Sequence, residues 1–217
     1  MCATYTPPRP GDVRVKFGAL EPTFEYRPRI WPGYDGPILL SEGGLLVPHR
    51  AQFGLLPFFA KDRKQRFSTF NARSEDVANK PSFRGPWRER KFCLIPAVRF
   101  FEPNYESGKA VWWGVERVDG EPFNVAGIWD RWKSGTGESV MSFSMLTVNA
   151  ERHPLMHRFH APGEEKRSIV VLDEEGSNRW LATASDLAAR ALLTLFAADA
   201  FRTAPADVLE PPDPDPK

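Results

Sequence analysis

Short apolar runs separated by Pro and Gly fill most of the 217 residues, a pattern of strands and turns rather than of a helical bundle. The runs at 38–40, 44–46, 51–56, 92–101, 110–118, 123–129, 140–148 and 168–172 predict strands. Helical spacing is confined to two places. Ser74, followed by Asp76, opens a short helix that closes before Pro81. A second runs from Asp186 to about Phe196, with Leu187, Leu192, Leu193 and Phe196 as its apolar positions and Ser185 as its cap. No internal repeat interrupts this plan. Together these elements predict an α+β fold: one domain over residues 1–200, with a twisted, barrel-like, mainly antiparallel β-sheet flanked by a few helices.

Composition adds a boundary and a charge pattern. Beyond Phe201, Asp207, Glu210, Asp213 and Asp215 alternate with prolines, so 201–217 reads as an acidic, disordered tail that cannot bury enough apolar surface to offset its ordering entropy. The net charge is only +1, yet residues 61–91 hold ten Lys and Arg against four Asp and Glu. That local excess suits a polyanion, or simply a solvated loop. Two cysteines, Cys2 and Cys93, make no disulfide framework. With no long apolar run and no leader pattern, the expectation is a reduced, cytoplasmic protein, nucleoid-associated if bacterial, with no membrane partner. Cys93 lies in an apolar run and reads as buried packing.

Candidate chemistry gathers in four segments. Removal of Met1 would make Cys2 the N-terminus, with an α-amine and a thiol on adjacent carbons; such a pair can close a five-membered ring on an aldehyde, or the thiol can attack an acyl carbon. Position 2 is equally open to a chance cysteine in a frayed end. In Asn71-Ala72-Arg73-Ser74-Glu75, strand alternation sends Asn71 and Arg73 to one face, where an amide can orient a sugar or backbone oxygen and a guanidinium can grip phosphate. Asn71 in a turn and Ser74 as a plain cap is the alternative. Glu102 ends the aromatic run of residues 95–103, where desolvation would raise a carboxyl toward the general acid–base range unless it reaches solvent. His153, His157 and His160, three of the four histidines, fall within eight residues. They lack a Cys pair or a helical HExxH frame, so proton transfer fits better than zinc, and no metal or other cofactor is expected.

These segments, in this order, resemble the SOS response-associated peptidase (SRAP) family, whose members protect and process abasic sites in single-stranded DNA. The resemblance covers roughly residues 2–195, and the intact string Asn71 to Glu75 with Pro81-Ser82-Phe83-Arg84 after it is its most specific part. It implies that Cys2 bonds to the aldehyde of a ring-opened abasic sugar as a thiazolidine. Asn71 would hold the amine and thiol against the sugar, Glu102 would shuttle protons, and His160, preferred over His157, would act on the sugar oxygen. Arg73 and Arg84 resemble phosphate contacts; Phe58, Phe59 and Trp87 are the candidate stacking residues. Strand cleavage as a lyase and peptidase activity are further implied possibilities, and the partner is single-stranded DNA containing abasic sites, bound by a monomer. The sequence departs from the family pattern at Thr4, where an arginine is usual, at Pro103, where tryptophan is common, and in the six residues between His160 and Arg167, where one is common. A cysteine peptidase with an N-terminal nucleophile and a noncatalytic single-strand binder built on 61–91 are the competing readings.

Overall fold

A computed structural model describes residues 2–63 and 68–209; Met1, residues 64–67 of the basic stretch and 210–217 of the tail lie outside it. In chain order the strands are β1 (Thr4–Thr6), β2 (Asp35–Glu42), β3 (Leu45–Phe53), β4 (Asn71–Arg73), β5 (Phe92–Ala97), β6 (Arg99–Asn104), β7 (Val111–Arg117), β8 (Phe123–Lys133), β9 (Ser139–Asn149), β10 (Arg167–Ile169), β11 (Val171–Leu172) and β12 (Phe201–Pro205). The helices are α1 (Pro10–Phe17), α2 (Arg84–Arg88), α3 (Glu174–Ala182), α4 (Asp186–Ala191) and α5 (Ala206–Leu209), and none among the described residues is long and apolar enough to cross a membrane.

Strands β3, β2, β5, β8 and β9 pair in a ring, and a parallel contact of Gln52 and Phe53 with Ser142 and Phe143 closes it into a five-stranded barrel. The remaining pairings are antiparallel except β4 on β9. A second, four-stranded sheet runs β1-β6-β7-β12. The expected barrel-like, mainly antiparallel α+β fold is therefore present. Alternation sorts the core in two: Ile38, Leu40, Cys93, Ile95 and Val125 join the cluster shared by barrel and second sheet, while Leu39, Leu94 and Ala126 pack with Trp87 and Trp180 beneath the helices. Cys93 is fully buried, as its apolar setting implies.

Four departures from the expected elements bear on the site. The run 92–101 is two strands in different sheets: at Val98 the chain leaves the barrel, its N–H bonding to Thr6 O at 2.8 Å, and β6 continues in the second sheet. Residues 74–80 form successive turns rather than a helix. The Ser74 carbonyl, which a helix would give to Ala78, instead accepts from Arg190 Nη1 at 2.9 Å, and Pro81 disfavours helical geometry at Lys80. The expected helix 186–196 stops at Ala191, although Ser185 does cap it, accepting from the Ala188 N–H at 3.1 Å. The segment from Phe201, read as tail, begins inside the fold: Phe201 is buried against Phe196 and Phe123, and β12 pairs with β7 from Arg117 to Trp113. Its apolar anchor outweighs the acidic, Pro-rich composition that follows.

Gly127 marks the tightest point of the barrel interior. A Cβ there would stand 2.5 Å from Ile95 Cδ1, 2.9 Å from Cys93 Sγ and 3.0 Å from the Ser144 carbonyl. The backbone oxygen cannot move aside without breaking the β8–β9 pairing. Gly127→Ala should destabilise the fold by about 1–3 kcal/mol, lowering the melting midpoint by about 2–4 °C per kcal/mol, with partial recovery in Gly127→Ala/Ile95→Val. An unchanged midpoint in thermal denaturation would show that the interior has room the packing denies.

Candidate active site

The N-terminus is part of a sheet, not a frayed end. Thr4 pairs with Phe101 and Thr6 with Arg99, and continuing this antiparallel register lays residue 3 alongside Glu102 and residue 2 alongside Pro103. Cys2 has no solvent exposure, and its thiol donates to Thr4 O at 3.4 Å. Burial, reinforced by the negative charge of Glu102, pushes the Cys2 thiol far above the ordinary thiol range. The group is therefore held as S–H, and becomes a strong nucleophile only if a neighbour takes its proton.

Asn71, the first residue of β4, reaches across 69 positions of sequence: its Nδ2 donates to Cys2 O at 2.7 Å. Its Oδ1 is buried and accepts no hydrogen bond from any described residue. A buried amide oxygen without a donor costs about 1–3 kcal/mol, and such an orphan in a native site marks a place where a donor is still to arrive. Ala72 points to the opposite cluster, so the alternation of Asn71 and Arg73 holds.

Glu102 and His160 form a buried pair, 0% and 4% exposed, with Nε2 and Oε2 2.9 Å apart. His160 Nδ1 accepts from the Arg167 N–H at 3.5 Å, so the neutral ring carries its proton on Nε2 and donates it to Glu102. His160 has φ +67°, the left-handed region that non-glycine residues rarely occupy. Its N–H bonds to Pro103 O at 2.8 Å, and Lys166 Nζ donates to its carbonyl at 3.0 Å, which together hold the strained backbone against β6. The other two histidines go elsewhere. His153 Nδ1 accepts from the N–H groups of Leu155 and Met156 while its Nε2 meets Phe196 O at 2.8 Å, and His157 is exposed. Arg158 adds a bidentate pair with Glu106, 2.8 Å on each arm, which holds the Glu106 carboxyl down at about 2 and ties the turn before His160 to the β6–β7 connection.

Arg167, noted in the sequence only for its spacing, is the hub behind this arrangement. It is 2% exposed, and its guanidinium meets Thr147 Oγ1 at 3.1 Å, Thr147 O at 2.8 Å, Glu165 at 2.6 Å and Glu75 at 2.8 Å. Burial works against ionised Glu75, but the hydrogen bond and charge of Arg167, with hydrogen bonds from the Glu75 N–H and Ser74, together outweigh it and hold the carboxyl below its ordinary value. The last residue of the Asn71–Glu75 string is thus an anchor, not a reagent. A charged residue at the head of an apolar run was the available signal for Arg167. Arg73, on the same edge, is half exposed with Nη1 3.1 Å from Glu165.

The other predicted contacts separate. Phe58 and Phe59 are 73% and 46% exposed and meet edge to face at 5.2 Å. They project from a turn buttressed by Trp132, whose indole N–H donates to Ala60 O at 3.0 Å. Arg84 lines a cleft of about 220 Å3 with Arg88 and Arg90, over Trp87 and Phe92. Trp87 itself offers no open face. It is 5% exposed, packs on Phe92 and Trp180, and gives its N–H to Asp186 at 2.6 Å, so its place is in the core beneath the helices.

The first strand of the second sheet brings a cysteine beside a buried acid–imidazole pair, and the comparisons with known proteins point to one family. The chain belongs to the SOS response associated peptidase (SRAP) family, whose model matches residues 1–208. It is similar to the abasic site processing protein YobE of Bacillus subtilis, 28% identical over 163 residues that make up 74% of this chain and 71% of the relative. It is also similar to the abasic site processing protein HMCES of Gallus gallus, 25% identical over 189 residues, 72% of this chain and 54% of the relative. A crystal structure of a protein from Bordetella bronchiseptica superposes with a TM-score of 0.88 at 32% identity, covering 94% of this chain and 99% of that one.

Removing the hub should loosen both motifs at once. Arg167→Met keeps the volume but takes the buried cation away from Glu75 and Glu165 and leaves the Thr147 carbonyl only the Ser74 N–H at 2.9 Å, and should cost about 2 kcal/mol or more, a fall of roughly 4–8 °C in the melting midpoint. Amide exchange should rise at residues 71–75 and 160–167 together. Exchange confined to one of the two segments would contradict the coupling.

Proposed function

We propose that this protein recognises abasic sites in single-stranded DNA and bonds to them through Cys2 as a thiazolidine once Met1 is removed. The observation that carries this reading is the convergence on Cys2 of the Asn71 amide, 2.7 Å from its carbonyl, and the buried Glu102–His160 pair 2.9 Å across. The α-amine condenses with the C1′ aldehyde of the ring-opened sugar, losing one water to give an imine. The Cys2 sulfur then adds to the imine carbon, its proton passing to Glu102 and on to the imine nitrogen. The amine attacks first in this reading, because the sulfur closes the ring on the imine carbon that the amine has made. His160 Nε2–H faces the same carboxylate and supplies the proton that opening of the sugar ring requires at its oxygen. Asn71 Oδ1, buried without a donor, accepts from the free amine in this reading and holds it near the carbon it must reach. The same intermediates, run backwards, release the DNA.

The family match and the names of the abasic site processing relatives support the substrate. Arg73 and the cleft of Arg84, Arg88 and Arg90 suit phosphates, and the exposed Phe58–Phe59 pair suits unstacked bases, each worth about 1–3 kcal/mol on an aromatic face. Incubation of Met1-processed protein with a single-stranded oligonucleotide bearing one abasic site should give a covalent species on a denaturing gel. Cys2→Ser should lose it, and Glu102→Gln should form it about 100-fold more slowly or worse. Absence of the species with the unaltered protein, or equal yield from Cys2→Ser, would sink the mechanism. DNA-independent peptide hydrolysis that vanishes in Cys2→Ala would favour the peptidase reading instead.

A further inference from the structure

We propose that Arg29, Trp31 and Trp112 form a nucleotide-gripping surface beside Cys2, Arg29 taking a backbone phosphate and Trp112 stacking an unpaired base next to the reacting sugar. The inference rests on the single-stranded DNA reading above and adds to it a contact that neither the motifs nor the basic stretch 61–91 contains.

The geometry starts at Thr4, two residues from Cys2. Its hydroxyl donates to Ile30 O at 2.9 Å and accepts from Arg29 Nε at 3.3 Å, so the loop before β2 is fastened to the N-terminal strand and Arg29 to the residue that follows the nucleophile most closely in the sheet. The Arg29 guanidinium lies 3.8 Å from the ring centroid of Phe101, the neighbour of Glu102, and 5.1 Å from that of Trp31. Trp31 in turn meets Trp112 at 5.9 Å with the rings nearly perpendicular, 84°. Trp112 pairs across the sheet with Pro103, the residue after Glu102, and is 36% exposed. Thus a permanent cation fixed between aromatic rings and an accessible indole flank β6, which holds Glu102, and the N-terminal segment paired with it, which carries Cys2.

This alternation of cation and ring is complementary to one class of partner. A single strand presents phosphates and bare base faces in alternation; guanidinium matches the first through its planar fork, and indole the second irrespective of base. Thr4 is also where the chain departs from the pattern it resembles, in which an arginine is usual, and its hydroxyl accepts from Arg29 Nε at 3.3 Å.

Fluorescence anisotropy of a labelled abasic single strand, across a salt series, tests this with Arg29→Ala, Arg29→Lys, Trp112→Ala and Trp112→Phe, each first shown to melt as the unaltered protein does or with a shift too small to unfold it at the assay temperature. Arg29→Ala should weaken binding at least about fivefold and lower the slope of log affinity against log salt by about one, while Arg29→Lys keeps the slope. Trp112→Ala should lose at least about fivefold with the slope unchanged, and Trp112→Phe should retain most of the affinity. In Arg29→Ala, adding Thr4→Arg should recover part of the salt slope. Affinity and slope equal to the unaltered protein in both alanine variants would overturn the proposal; so would a loss in Arg29→Ala with no change of slope, which would mean packing on Phe101 and not phosphate. Failure of the unaltered protein itself to bind or crosslink the abasic strand would overturn the functional reading instead.

Discussion

Glu102 is a carboxylate with no solvent exposure, and the imidazole of His160 at 2.9 Å is what makes its burial tolerable. Isolated burial of such a charge would shift it to the neutral form or exclude it from the core. Meeting that condition shapes much of the chain around it. The sheet switch at Val98 carries Glu102 out of the barrel wall and into the seam between the two sheets; β1 lies on β6 so that Cys2 arrives at the same seam. His160 reaches the carboxylate only from a left-handed backbone, and that strained residue is held by Pro103 O, Lys166 and the start of β10. A pair assembled at this expense in backbone strain is better suited to moving protons than to adding stability.

Behind the pair, Arg167 joins elements that are distant in sequence. It binds β9 through Thr147 and the Asn71–Glu75 string through Glu75, while its own N–H faces His160 Nδ1. The amide that touches Cys2 and the imidazole that touches Glu102 therefore share one buried foundation. A network of this kind fixes positions at the cost of a desolvated cation, and its rigidity is what the proposed chemistry needs, because two nucleophiles must reach one carbon.

What the sequence disclosed and what it hid divide along physical lines. Strand cores such as 38–40, 123–129 and 140–148 were legible because both faces of a barrel wall are buried. The stretch 44–56 read as two runs because Pro48 interrupts it, yet β3 is continuous: it meets β9 only at Gln52 and Phe53, so Pro48 needs no donor on that side. The change of sheet at Val98 was invisible, since nothing in an apolar run says which neighbour it will pair with. Turns stand at 74–80 in place of a helix, where Pro81 disfavours helical geometry at Lys80 and the Ser74 carbonyl meets Arg190, 116 positions away. Asn71, Glu102 and His160 were found through their motifs, and the structure brings them together around Cys2. Trp87 looked like a stacking residue by type and neighbourhood; its indole N–H satisfied by Asp186 shows it to be core. Arg29 escaped notice because its partner Thr4 is twenty-five positions away, a separation no local pattern reports.

The intact mass of the adduct between Met1-processed protein and an abasic oligonucleotide, measured with and without borohydride and followed by peptide mapping, bears most directly on the chemistry at Cys2. A closed ring predicts the summed masses less one water, no gain of hydrogen on borohydride treatment because no C=N bond remains, and the DNA remnant on Cys2. An adduct that borohydride reduces, or one mapped to a lysine or to Cys93, would contradict it.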